Sequence, residues 1–300
     1  MSETLNLVNK SDSLSCDYQI TKFPDGQQSI TILEKGYYTY NSLKEQNTPI
    51  IIKSRLRNFK DLELIICANQ ALKEIGVKSV KLYIPYCIGG RSDRKFQEGG
   101  INYIKTVIAP IINSQNFDEV RIMDPHSDVL EACINNFVKI NNNGLMLMAL
   151  KSMLNEDNDV SNICLVSPDA GAYKKIFDAA KKFGIDKIIT ATKVRDIKTG
   201  KILHTEIPTL DQHNNLKYII VDDICDGGRT FIELAKAIHG SRPTAEVYLV
   251  VTHGIFSNGL YELSKEITRI YSTNSVKEIE VDSYSDYTVS KEFLTQLNVF

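Results

Sequence analysis

Tyr218-Ile219-Ile220-Val221-Asp222-Asp223-Ile224-Cys225-Asp226-Gly227-Gly228-Arg229-Thr230 is the stretch whose reading decides the fold. Its first four residues form an apolar, mostly β-branched run that reads as a buried strand, and two adjacent carboxylates end that run. A small-residue turn follows, and apolar residues then recur at helical spacing from Phe231 to Ile238. A parallel strand feeding a helix through such a turn aims free backbone N–H groups and the positive end of the helix dipole at one point. That point suits a phosphate. Asp222 and Asp223 repel phosphate, but they can accept hydrogen bonds from vicinal sugar hydroxyls or hold a divalent cation. The plain alternative is a solvated Asp-rich turn. Two carboxylates closing a buried strand are costly without a ligand, so the stretch reads as a ribose-phosphate site.

Working outward, strand-like and helix-like patterns alternate along most of the 300 residues. In the first half, strands are expected at Pro49 to Lys53, Val80 to Pro85 and Glu119 to Met123, with helices at Phe59 to Ile75, Ile101 to Asn113 and Asp128 to Phe137. The rhythm restarts after Asn141-Asn142-Asn143-Gly144, which divides the chain into domains 1–142 and 143–300. Strands at Ile163 to Ser167, Lys187 to Ala191, Lys217 to Asp222 and Glu246 to Thr252 then alternate with helices at Ala172 to Phe183, Thr230 to Ile238 and Gly259 to Lys265. Such alternation predicts an α/β protein with two domains, each a mainly parallel sheet flanked by helices. Ligands of such sheets bind beyond the carboxyl ends of the strands. Asp196 to Gln212, with Gly200 and Pro208, reads as a long mobile loop or hairpin.

Composition narrows the classes further. A net charge of −2 lacks the basic surplus of a generic nucleic-acid binder. No apolar run is long enough to span a bilayer, and Met1 to Lys10 lacks the apolar core of a signal peptide. The 6 cysteines carry no CxxC spacing, which argues against zinc and for reduced thiols in a cytoplasmic protein. No GxxxxGK[ST] segment is present, so a Walker-type nucleotide loop is excluded.

Five further segments run in one order along the chain: Phe23-Pro24-Asp25-Gly26; Ile84-Pro85-Tyr86 with Gly90-Arg91-Ser92-Asp93-Arg94-Lys95; Asp124-Pro125-His126-Ser127; Val166-Ser167-Pro168-Asp169-Ala170-Gly171; and Thr252-His253-Gly254-Ile255-Phe256-Ser257. With the Asp222–Thr230 loop, they resemble the ribose-phosphate pyrophosphokinase (PRPP synthetase) family, whose fold is of the phosphoribosyltransferase type. The resemblance implies ATP as co-substrate with Mg2+, and transfer of its β,γ-diphosphate to the anomeric hydroxyl of ribose 5-phosphate. It places Arg91, Asp93, Arg94 and His126 at the ATP, and His126, Asp169, Asp222 and Asp223 at the metal. Asp222, Asp223, Asp226, Gly227, Gly228, Arg229 and Thr230 fall at the ribose phosphate. Lys193 and Arg195 match a catalytic Lys-x-Arg, with His126 beside them as a catalytic candidate. Small-molecule substrates and a homo-oligomer are implied, without nucleic acid or membrane.

The loop departs from the family pattern Asp-Thr-Gly-Gly-Thr. A hydroxyl is lost at Gly227, and a guanidinium is gained at Arg229, which could bind phosphate bidentately or lie on the helix surface. Glycine at 227 is expected to leave a gap suited to an extended phosphate. ADP-ribose is therefore an alternative acceptor for the same chemistry. Asp169 has a second reading as the N-cap of the Ala172 to Phe183 helix. A phosphoribosyltransferase and a catalytically silent regulatory homologue are the remaining rivals; the first has no need of the Arg91 and His126 segments, and retention of Lys193, Arg195 and His126 argues against the second.

Overall fold

A computed structural model describes residues 3–13, 17–35, 41–42, 48–154, 159–195, 202–208, 216–279 and 289–300. The chain divides into two compact units, residues 1–141 with Val299–Phe300, and residues 142–298.

The first unit contains β1 (Glu3–Asn6), β2 (Asp17–Lys22), β3 (Gln28–Leu33), β4 (Ile50–Lys53), α1 (Phe59–Glu74), β5 (Val80–Tyr83), α2 (Ala109–Ser114), β6 (Glu119–Met123), α3 (Val129–Cys133) and β7 (Phe137–Ile140). Its sheet is parallel throughout, in the order β1-β4-β5-β6-β7. Ile50, Ile51 and Ile52 of β4 are all buried, the pattern of a strand covered on both faces. β2 and β3 form a separate antiparallel hairpin.

The α1 helix starts where Asn58 accepts the Asp61 N–H at 3.0 Å. It buries Leu62, Ile65, Ala68 and Leu72, one face at helical spacing. It ends at Gly76 (φ 89°), where the Val77 N–H bonds the Leu72 carbonyl at 3.0 Å.

Two expected helices differ. The segment from Ile101 begins as loop, and its helical part opens with a wide π-turn over Ile104–Ile108 before α2. The Ala109 N–H reaches back five residues to the Ile104 carbonyl, and Pro110, next in line, has no N–H to restore the α pattern. The helix expected to run to Phe137 stops at Cys133, because Asn136 turns the chain at φ 54° and Phe137–Ile140 joins β6 as an edge strand.

The second unit contains α4 (Asn143–Met153), β8 (Ile163–Ser167), α5 (Tyr173–Phe183), β9 (Lys187–Thr190), β10 (Thr192–Arg195), β11 (Ile202–Glu206), β12 (Lys217–Cys225), α6 (Arg229–Ser241), β13 (Glu246–Gly254), α7 (Tyr261–Ser264), β14 (Arg269–Thr273) and β15 (Leu294–Leu297). Its sheet is parallel in the order β15-β14-β13-β12-β8-β9. Buried residues from alternate sheet positions form two apolar layers. Tyr218, Ile220 and Leu249 pack with Leu234 and Ile238 of α6, whereas Ile219, Val221 and Val250 pack with α4 and α5.

Of the loop or hairpin expected at Asp196 to Gln212, the hairpin alternative fits: the segment contains β11, which pairs antiparallel with β10. Residues 196–201 and 209–215 lie outside the described residues. No helix among the described residues is long and apolar enough to cross a membrane. Cys87, Cys164 and Cys225 are buried free thiols, and burial pushes Cys87 up to about 12 and Cys164 to about 11.

Candidate active site

Strand length in the second unit positions the acidic pair. β12 was expected to end at Asp222 but runs on to Cys225, paired with a β13 that also extends to Gly254. The pairing continues through Asp222↔Val251, Ile224↔His253 and Cys225↔Gly254, whereas β8 takes its last register with β12 at Ile220↔Val166. The carboxylates thus lie within an overhang supported on one side only, not at the strand's end. Asp223 is buried and Asp222 half-buried. The Asp223 N–H donates to Asp222 Oδ1 at 2.9 Å. Burial holds the Asp222 carboxyl well above its ordinary range, and the negative charges of Asp223 and Asp169 push the same way.

Asp169 lies beyond β8, the strand next to β12. Its Oδ1 accepts the N–H groups of Gly171 (3.0 Å) and Ala172 (3.2 Å) just before α5. It therefore braces the turn before α5 without being the expected N-cap, which is Ala172 and carries no side-chain cap bond, while its charge acts on Asp222.

The loop expected to hold phosphate follows β12. Gly228 takes φ 79° at the N-cap of α6, and a Cβ there would meet Leu263 at 3.0 Å. Both facts require glycine. Phe231 N–H bonds the Gly228 carbonyl at 3.0 Å, closing the first turn of the helix. Asp226 and Arg229 are exposed, and Gly227 and Thr230 half-buried. The gap expected beside Gly227 is occupied. A Cβ on Gly227 would lie 2.7 Å from Asn258 Nδ2 and 3.7 Å from Ser257 Oγ, both on the turn after β13. Asn258 lies one residue beyond the last of the sequence motifs, and its signal in the sequence is the Asn258-Gly259 turn pair.

In the first unit, the expected nucleotide residues lie on two loops from neighbouring strands. Ile84 N–H bonds the Arg121 carbonyl and Met123 N–H the Pro85 carbonyl, each at 3.1 Å, joining the ends of β5 and β6. After β5, Gly89 takes φ 72°, and a Cβ there would fall 2.3 Å from the Tyr103 ring. This explains the glycine lead-in to the loop. Arg91 and Arg94 are exposed and Asp93 is half-buried. The Arg94 guanidinium stands 3.9 Å from Asp93 Oδ1 and 5.4 Å from the Phe96 ring centroid. After β6, Asp124 is buried in a left-handed conformation (φ 40°), its N–H bonded to the Ile140 carbonyl at 2.7 Å. That turn presents His126 to solvent.

Lys193 and Arg195 belong to β10 opposite Thr205 and Ile202, with a register shift after Val194. Their backbones alone are described. Among the described residues no group of three His, Cys, Asp or Glu is placed to hold a metal.

No family model matches the chain. The ribose-phosphate pyrophosphokinase of Pyrococcus abyssi is 27% identical over 278 residues, covering 90% of this chain and 88% of its own. That of Sulfolobus acidocaldarius is 24% identical over 258 residues, covering 85% and 83%. The chain resembles the ribose-phosphate pyrophosphokinases. The crystal structure of phosphoribosylpyrophosphate synthetase from Mycobacterium smegmatis superposes with a TM-score of 0.74 at 17% identity, covering 96% of this chain and 88% of that one. The fold is thus the expected one, α/β with two phosphoribosyltransferase-like domains.

Proposed function

We propose that the protein is an ATP-dependent diphosphokinase. The anomeric C1 hydroxyl of ribose 5-phosphate attacks the β-phosphorus of Mg-ATP in line, the β,γ-diphosphate moves to the sugar, and AMP leaves. The observation that carries this reading is the β12 overhang, where an acidic pair is followed by a glycine-capped helix start, in a chain that resembles ribose-phosphate pyrophosphokinases for nine-tenths of its length. Asp222 and Asp223 accept hydrogen bonds from the ribose hydroxyls, while the loop N–H groups from Asp226 to Thr230 hold the 5-phosphate.

Arg91, Asp93, Arg94 and His126 are assigned to the nucleotide, and Lys193 and Arg195 to the charge that builds on the β-phosphate. The grouping of Asp222 with Asp223 and Asp169, whose negative charges act on it, fits a magnesium ion. Among the described residues no three such ligands are grouped, so the ion would take most of its coordination from water and phosphate oxygens, as Mg2+ commonly does. Held there, it would supply charge neutralisation for the diphosphate, with Asp169 as a further candidate ligand; His126, in the first unit, stays with the nucleotide and its metal. Work as a cytoplasmic homo-oligomer on small molecules, without nucleic acid or membrane, accords with this reading.

Arg229, exposed at the first position of α6, keeps ADP-ribose as a second acceptor reading. Mass spectrometry of products from ATP with ribose 5-phosphate and, separately, with ADP-ribose tests both. AMP with a diphosphorylated sugar is expected. ADP with a monophosphorylated product, or no acceptor-dependent cleavage, overturns the proposal.

A further inference from the structure

We infer that Asn258 is a specificity-determining residue of the acceptor site, supplying from the turn after β13 the side-chain donor that the phosphate loop lacks at Gly227. The inference rests on the assignment of that loop to a sugar 5-phosphate and adds a residue to it. Its first support is what stands beside Gly227. Gly228 needs its left-handed backbone, but Gly227 has no positive φ, so conformation does not demand glycine there. The position a Cβ would take is 2.7 Å from Asn258 Nδ2, the movable end of an exposed side chain, so one volume is shared by two positions from different turns and a side chain at 227 would turn the amide aside. The Asn258 side chain holds it.

The second support is how firmly that turn is held against the loop. Ile255 and Phe256 N–H groups bond the Cys225 carbonyl at 2.9 and 3.2 Å, and Ser257 N–H bonds the Asp226 carbonyl at 3.1 Å. Phe256 is buried at φ 46°, with its ring over Gly254, where a Cβ would lie 2.1 Å from the ring edge. A phenylalanine kept in this conformation is strained, and the strain directs Ser257 and Asn258 back onto the loop. The third support is donor capacity. Asn258 Nδ2 carries two N–H groups, and one is directed at the Gly227 carbonyl at 3.3 Å. The amide is exposed, so its second N–H faces the solvent that a phosphate oxygen would replace.

Calorimetric titration with ribose 5-phosphate, alongside AMP formation from ATP, tests the inference. Asn258→Ala is expected to weaken ribose 5-phosphate binding about tenfold, the usual effect of losing one hydrogen bond to a charged group, with KM for ATP unchanged. Adding Gly227→Thr to Asn258→Ala places a hydroxyl in the vacated space and recovers most of the loss. Gly227→Thr alone gives no gain, since hydroxyl and amide compete for one volume. Unchanged affinity in Asn258→Ala, or a loss that threonine does not recover, overturns the inference while leaving the diphosphokinase reading intact if AMP still forms. Asn258-dependent binding without AMP formation overturns that reading and sustains the inference. If the unaltered protein does not bind ribose 5-phosphate, both fall.

Discussion

At the scale of the residue, Asp222 is where structure and proposed chemistry conflict most openly. Its carboxyl is held above the ordinary range by burial, by Asp223 and by Asp169, so the folded protein keeps a proton there that the unfolded chain gives up. Stability then falls as pH rises from the ordinary carboxylate range through the raised value, and the loss is complete above it. Asp222→Asn is expected to raise the melting temperature by a few degrees at pH 7–8, where about 1 kcal/mol corresponds to roughly 2–4 °C for a domain of this size. Below the ordinary carboxylate range the difference should vanish. Added Mg2+ should stabilise the unaltered protein more than the variant, because the ion takes the place of the Asp222 proton and the variant offers one carboxylate fewer beside Asp223 and Asp169; thermal melts with and without Mg2+ at several pH values decide this.

Lys193 and Arg195 carry a different expectation. Alanine at either should lower kcat about a hundred- to a thousandfold, as loss of a transition-state donor does, with acceptor affinity held within a factor of a few. Near-normal turnover in both variants would remove them from the catalytic set.

At the scale of the element, turns aim the chemistry. The loop bearing Arg91, Asp93 and Arg94 leaves β5 through Gly89, where positive φ and the Tyr103 ring both exclude a side chain. Gly89→Ala is expected to cost about 1–3 kcal/mol, from an incompatible backbone and overpacking against the ring. It should raise KM for ATP and leave ribose 5-phosphate affinity unchanged. Urea denaturation and steady-state kinetics read the two effects separately, and an alanine variant of full stability and normal KM would show that the loop tolerates another path. This turn was legible only as an unusual Gly-Gly lead-in, because the partner that demands it is fourteen residues away in sequence. The π-turn before α2 was likewise hidden, since Pro110 signals a break but not the wider turn that accommodates it.

At the scale of the whole molecule, each unit builds its own parallel sheet and buried core, and the chain's last two residues belong to the first unit. Phe300 places its ring 6.3 Å from that of Tyr83 and 5.1 Å from the Arg55 guanidinium. Phe300→Ala is expected to destabilise the first unit by about 1–2 kcal/mol, from one aromatic pair and one cation–π contact on a half-buried ring. The Tyr83 hydroxyl, pushed up to about 12 chiefly by burial, should then titrate lower as its surroundings open to water. Denaturation and ultraviolet titration check these, and unchanged values in both would mean that the tail contact contributes nothing.

What the sequence by itself determined is local. Apolar runs with sharp turn residues marked β6 and β8 to the residue, and the strand-end motifs marked the loops after β5 and β12 to which substrate binding is assigned by proposal, because each such signal lies within a dozen neighbouring residues. The edge strand β7 and the late strands β14 and β15 had no such signal; their pairing energy comes from neighbours distant in sequence. The same holds at the site. Asp222 and Asp223 were visible as a pair, but the overhang that carries them depends on where β8 stops. Gly227 was visible as a missing hydroxyl, but only the tertiary structure brought Asn258 into its place, since the two residues share a volume that thirty intervening residues must fold to create.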